Sequence, residues 1–351
     1  MTTTQDREIT SLGELDKFER YLIDEFYDDY RAGEITRRTF VRRLAYITGG
    51  MAGAASTMVL LGCAPAEVPS KTMPIPSAEP SSAAKSASPA ASAAASATPA
   101  GTVVPVPNAK SPLSVPEGDP AVRGETVRFA SGADQIAGYL ARPAAGGTGL
   151  KAILICHENA GMTAHFPDIA RRFAKEGYAA LAIDLLSREG GTANIERDRA
   201  SGALTQAGIA RHVADFEAGR KYLGTQQGID GARIGMTGFC FGGGVTWQAA
   251  TQIPELKATV AYYGPAPDLA AAANIKAAAF GVYAENDARI TGSADGLDKA
   301  LTEAKVKHQM KVYPGVNHAF NNDTAANWSE EAKTQSLAAW KDTLAWFGGN
   351  L

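Results

Sequence analysis

The sequence predicts an α/β fold, a mostly parallel sheet covered by helices on both faces. Three observations carry that expectation. From about residue 119 onward, apolar strands alternate with helical patterns. Central strands such as Ala152-Ile153-Leu154-Ile155-Cys156 are apolar on both faces, as buried parallel strands are. Reactive residue types also fall just after strand ends, where open α/β sheets place their sites.

Taken in order, 125–130 and 136–143 read as an antiparallel hairpin around Ser131-Gly132-Ala133-Asp134. Further strands are expected at 152–156, 178–185, 234–239, 258–263, 277–283 and 308–313. Helices are expected at 167–175, in one long stretch over 195–223, and at 243–251, 293–304 and 330–347. No internal repeat is visible, so 119–351 is read as one domain.

The first 118 residues are read differently. Residues 13–31 carry Leu15, Phe18, Tyr21, Leu22, Phe26 and Tyr30 at spacings near three and four, which suits an amphipathic helix. Its opposite face is acidic (Glu14, Asp16, Glu19, Asp24, Glu25, Asp28, Asp29) and is expected to be solvated. Thr36-Arg37-Arg38-Thr39-Phe40-Val41 resembles a twin-arginine export signal. No charge follows Arg43 until Glu67, and Leu60-Leu61-Gly62-Cys63 closes the apolar run in the form of a lipoprotein processing site. Residues 1–62 are therefore expected to be a signal, with Cys63 the lipidated residue, or else an uncleaved membrane anchor. The expected partners are the export machinery and a membrane, and the expected location is extracytoplasmic.

Residues 63–118 read as a linker. Positions 64–118 hold 11 of the 18 prolines and alanine/serine runs, with too few large apolar side chains to offset the entropy of ordering. A coil of that length spans about 40 Å. A formal net charge of −3 gives no basic footprint for nucleic acid. Three cysteines in unlike contexts make no disulfide framework.

The chemistry concentrates in Gly238-Phe239-Cys240-Phe241-Gly242. A strand runs into glycine-x-nucleophile-x-glycine and then into a helix, which is the pattern of an α/β-hydrolase elbow with cysteine as nucleophile. The glycines permit a sharp turn, and the helix N-terminus behind the sulfur favours thiolate. Asp287 lies 47 residues on, in the loop Ala284-Glu285-Asn286-Asp287, and His318 a further 31 residues on, after the last strand. Nucleophile, acid and histidine in this order suit a triad in which His318 moves the proton and an acid orients the ring. Glu285 competes with Asp287 for the acid's place.

On these motifs, 119–351 resembles the dienelactone hydrolase (carboxymethylenebutenolidase) family. The resemblance implies hydrolysis of a small ester or lactone through a thioester on Cys240, with Asp287 selected as the acid and no cofactor or metal. It also implies that Glu158, in His157-Glu158-Asn159-Ala160-Gly161, keeps the resting thiol protonated. The N–H groups of Asn159 and Phe241 would form the oxyanion hole. The family holds its substrate carboxylate with two arginines. Arg188 matches the first, and Asn322 stands where the second is expected. Glu158 as a plain helix cap, and Arg188 as a surface partner of Glu189 or Asp184, are the competing readings. For the whole chain the alternatives are a general extracytoplasmic carboxylesterase or acyl-transferring enzyme, and a catalytically silent tethered binding module.

Overall fold

The computed structural model describes residues 15–62 and 103–351. The expected lipidation residue Cys63 and most of the expected linker lie outside the described residues. Three helices come first: α1 (Lys17–Arg31), α2 (Arg37–Ile47) and α3 (Met51–Leu60). Asp16 caps α1, accepting from the backbone N–H groups of Phe18 and Glu19, while the Glu19 side chain returns to the Asp16 N–H. Arg37 and Arg38 are exposed at the start of α2. Thr48-Gly49-Gly50 separates α2 from α3, with both glycines at positive φ. Among the described residues no helix is long and apolar enough to cross a membrane.

The body holds β1 (Val122–Ser131), β2 (Asp134–Pro143), β3 (Leu150–Cys156), α4 (His165–Lys175), β4 (Ala179–Ile183), α5 (Arg197–Ala207), α6 (Ile209–Thr225), β5 (Ile229–Phe239), α7 (Phe241–Gln252), β6 (Ala258–Tyr262), β7 (Ala278–Ala284), α8 (Ala288–Thr291), α9 (Ala294–Glu303), β8 (His308–Tyr313) and α10 (Glu330–Asn350). The eight strands form one sheet in the order β1-β2-β4-β3-β5-β6-β7-β8. Only the β1–β2 and β2–β4 pairs are antiparallel; the rest are parallel. The α/β-hydrolase architecture expected from the sequence is the one observed. β3, β4, β6 and β7 are buried almost throughout, the consequence of helices on both faces.

Two boundaries differ from the sequence reading. The single helix expected over 195–223 is two, because Gly208 takes φ +77° between α5 and α6 and ends the first turn set. The packed body also begins well before residue 119. Val104 bridges Glu117, the Ser111 N–H donates to Asp323, and the Val115 N–H donates 2.7 Å to Asp168. Residues 103–118, expected as linker, are thus a strap held by backbone donors on two buried carboxylates.

Candidate active site

The elbow is a strained turn. Cys240 has φ +57° and ψ −121°, a conformation non-glycine residues adopt rarely. It is tolerated because the turn is crowded on every side. A Cβ at position 238 would lie 2.1 Å from the Gly242 carbonyl oxygen, and one at 242 would lie 2.4 Å from that of His157. β5 thereby delivers the sulfur to the N-terminus of α7. Tyr263 (φ +36°) and Ala319 (φ +58°), beside the histidine, are strained as well.

Asp287, after β7, and His318, after β8, meet across the sheet edge, with His318 Nδ1 2.5 Å from Asp287 Oδ2. Glu285 faces away and accepts from the Gly315 N–H. The other imidazole nitrogen, Nε2, has no hydrogen-bond partner; it lies 3.9 Å from Glu25 Oε2, and the ligand atoms of His318, Glu25 and Cys240 lie within 4.8 Å of one another. Burial works against the imidazolium, but the bond to Asp287 and the charges of Asp287 and Glu25 outweigh it and raise the His318 pKa above 6.5. The Tyr263 ring packs edge-on against the imidazole at 5.0 Å.

Glu158 is buried beside the same thiol. Asn322 Nδ2 donates 2.8 Å to one of its oxygens, and the Tyr263 hydroxyl donates 3.4 Å to the other. Burial raises the Glu158 pKa, while Asn322 and two histidines pull against that rise. Asn322, where the resemblance expects an arginine, therefore serves Glu158. His157 is a structural residue: its Nε2 accepts from the Leu185 N–H and its Nδ1 donates to the Glu158 carbonyl.

Cys240 departs from the thiolate expected of a helix N-terminus. Its pKa is pushed well up, first by burial and then by the charges of Glu25 and Glu158; hydrogen bonds from Tyr21 and the Phe241 N–H act in the opposite direction. Arg188 corrects the sequence reading. Its guanidinium chelates Asp215 through two bonds of 2.7 and 2.9 Å and reaches Asp134, so its donors are committed to the hairpin and α6. Asp215 is fully buried, which makes this pair structural. Cys156 is a buried apolar residue of β3.

Sequence reasoning missed three residues. The acidic face of α1 is not solvated at Glu25: that carboxylate lies 3.4 Å from the Cys240 sulfur and accepts from Asn159 Nδ2 at 2.5 Å. The Tyr21 hydroxyl lies 3.1 Å from the same sulfur. Arg289, two residues after Asp287, stands 3.9 Å from Glu25 and stacks over the Tyr21 ring. The periodicity of α1 was legible; the surface it covers is tertiary and leaves no local signal.

Comparison with known proteins shows the family. Residues 136–351 match the model of the dienelactone hydrolase family. A Salmonella typhi protein named "Putative carboxymethylenebutenolidase" is 30% identical over 256 residues, 69% of this chain and 93% of its own length. The protein of that name in Escherichia coli K12 is 31% identical over 255 residues, covering 68% and 93%. The crystal structure of a "Putative Dienelactone Hydrolase" from Klebsiella pneumoniae superposes with a TM-score of 0.59 at 30% identity, over 65% of this chain and 99% of that one. With its sheet order, cysteine elbow and facing Asp–His pair, this chain belongs to the dienelactone hydrolase family and is a carboxylic-ester hydrolase.

Proposed function

We propose that the chain cleaves a small ester or lactone through a thioester on Cys240. The observation that carries this is the Asp287–His318 contact at 2.5 Å, with the imidazole within 4.8 Å of the elbow cysteine's sulfur. His318 Nε2 takes the thiol proton and the sulfur attacks the carbonyl carbon. The N–H groups of Phe241 and Asn159 receive the developing oxyanion. Collapse expels the alkoxide, which recovers the proton from His318, and leaves an acyl thioester. Water, deprotonated by the same nitrogen, then releases the acid and restores the thiol. Glu158 keeps the resting sulfur protonated.

A panel of aryl esters and lactones tests the reading on the full chain. Wild type should turn over a member of the panel and yield an acyl adduct on the Cys240 peptide. Cys240→Ala should lose about 10³-fold or more of kcat/KM and form no adduct. Equal rates in the two proteins refute the nucleophile.

The commitment of Arg188 to Asp215 favours the second reading, a general carboxylesterase without the two-arginine carboxylate clamp. The export reading is also a proposal, supported by the order Arg37-Arg38, apolar 44–61 and Leu61-Gly62-Cys63. It makes the protein extracytoplasmic and lipid-anchored at Cys63. Cys63→Ser should then release it from the membrane fraction, and an unchanged distribution refutes the anchor.

A further inference from the structure

One open cavity beside the triad stops short of it. It has a volume of about 730 Å³ and reaches Glu25, Glu158, Asn159 and Asn322, but neither Cys240 nor His318 lines it. What closes the approach is α1. Tyr21 and Glu25 lie on the sulfur, and Cys240 is only 2% exposed. The seat is close-fitting. Tyr21, Leu22, Ile23 and Phe26 are buried, and the Phe18 ring meets Phe241 edge-on at 5.6 Å. A Cβ at Gly244 would come within 2.9 Å of that Phe18 ring. Burial of these large apolar side chains makes this a docked helix rather than a passing contact.

The electrostatics under α1 are those of an anion site. Arg289 is half-buried among acidic and aromatic partners, and nearly all of them come from one segment. Its guanidinium lies 3.9 Å from Glu25 and 3.6 Å from Asp28, donates to the Tyr21 carbonyl at 3.4 Å, and stacks on the Tyr21 ring at 4.6 Å. The remaining acid, Asp287, is 3.9 Å away and already engaged with His318. Without α1, Arg289 would stand beside the nucleophile with Asp287, at 3.9 Å and bound to His318, as its remaining acid. A guanidinium in that position can pair with a carboxylate through charge-assisted hydrogen bonds. Asn159 Nδ2, at 2.5 Å from Glu25, is the second donor of the same seat.

We propose that Arg289 and Asn159 form a carboxylate-binding subsite beside Cys240, and that Glu25 fills it as a tethered surrogate. Helix α1 thus holds the nucleophile closed, and a carboxylate-bearing acyl substrate takes the place of Glu25 when α1 lifts. The subsite differs from the arginine pair expected from the resemblance, one member of which is bound to Asp215 and the other replaced by Asn322. Because α1 precedes Cys63, the proposed processing there would sever the surrogate from the enzyme. The substrate half of the proposal rests on Cys240 acting as a hydrolytic nucleophile; the closure half does not.

The test uses the full chain and reads modification at the Cys240 peptide by mass, with iodoacetamide and with the bulkier N-phenylmaleimide. Glu25→Ala and Glu25→Lys should each label about tenfold or more faster than wild type, with the larger reagent gaining the more, since access as well as acidity changes. Unchanged melting of the body in Glu25→Ala certifies that the fold is intact. Equal labelling of all three proteins overturns the closure, and so does a gain that is the same for both reagents. In the Glu25→Ala background an aryl hemisuccinate should be cleaved in preference to the neutral aryl butyrate. Arg289→Gln should lower the ratio of kcat/KM for the hemisuccinate to that for the butyrate about tenfold. Equal losses on both esters overturn the subsite. Fast labelling with no turnover of either ester supports the closure and refutes the hydrolytic reading instead.

Discussion

Asp323→Ala is the sharpest probe of how the strap 103–118 is held to the body. Asp323 is fully buried, and its two oxygens carry four contacts. One accepts from the N–H groups of Lys110 and Ser111 at 3.2 and 2.9 Å. The other meets Arg172 Nη2 at 2.9 Å and His165 Nδ1 at 3.2 Å. Removing the carboxylate leaves Arg172, itself 4% exposed, with Asp168 alone. Breaking a buried pair in this way costs about 3–5 kcal/mol. At about 2–4 °C per kcal/mol for a domain of this size, the melting temperature should fall by roughly 6–20 °C. Circular dichroism on the full chain measures it, and proteolysis should open new cuts within 103–118. The pH dependence gives a second reading. Arg172 and His165 hold the Asp323 carboxyl below its ordinary 3.8, against the effect of burial. A depressed acid stabilises the fold above its unfolded pKa, and that contribution is lost as pH falls through the folded value. The gap between wild type and variant should therefore be constant near neutrality and shrink only below about pH 4. A drop of less than about 2 °C, or a gap that closes on the alkaline side, would refute the reasoning.

The catalytic proton chain predicts that the acid limb of kcat/KM falls with a midpoint above 6.5, because the His318 pKa is raised and only the neutral imidazole accepts the thiol proton. A midpoint below 6.5 contradicts the Asp287 contact. Asp287→Asn should lower kcat by about 10³–10⁴-fold with little change in melting, measured on whichever ester wild type cleaves best. At the elbow, Gly238→Ala places a Cβ 2.1 Å from a backbone oxygen. It should cost about 1–3 kcal/mol or more of stability together with most of the activity, and a fully active, equally stable variant would remove the strain argument. Asn322→Ala withdraws the donor that favours ionised Glu158. Glu158 should then keep its proton to higher pH, and iodoacetamide should reach Cys240 a few-fold faster near neutrality; a slower rate would uncouple the two groups.

What was legible in the sequence was whatever depends on local pattern. Strands apolar on both faces, such as 152–156, can only be central in a covered sheet, and the glycines around Cys240 announce the turn before any contact is known. Strand ends pointed to His318 and left Glu285 and Asp287 both open as the acid; the family resemblance selected Asp287. The strap 103–118 was not legible because it is held by backbone N–H groups on Asp168 and Asp323, which come from distant parts of the chain. Its prolines and small residues look the same whether or not such acceptors exist. Arg188 failed for a similar reason: nothing around it in sequence shows that Asp215, a turn into α6, would chelate it. The break at Gly208 was missed, because a glycine inside a helical pattern does not by itself show that it takes the positive φ that divides the helix here.

The placement of α1 also bears on how the thiol becomes reactive. Three causes raise the Cys240 pKa: burial, Glu25 and Glu158. Tyr21 and Glu25 of α1 lie on the sulfur and contribute to the first, and the second is α1's own carboxylate. Only Glu158 belongs to the body, and Asn322 and Tyr263 hold it there. Lifting α1, as proposed, would open the sulfur to water and remove the Glu25 charge in one event, along with the Tyr21 hydrogen bond that acts the other way. The helix N-terminus of α7 and the imidazole of His318 then act on a hydrated thiol with one carboxylate beside it instead of two. Exposure and activation are coupled because the same residues impose both restraints. A thiol buried by apolar cover alone would become accessible on uncovering, but it would not shed a neighbouring negative charge. Here a substrate carboxylate that displaced Glu25 would settle at Arg289, where its charge is neutralised, while its carbonyl came to a sulfur newly able to attack.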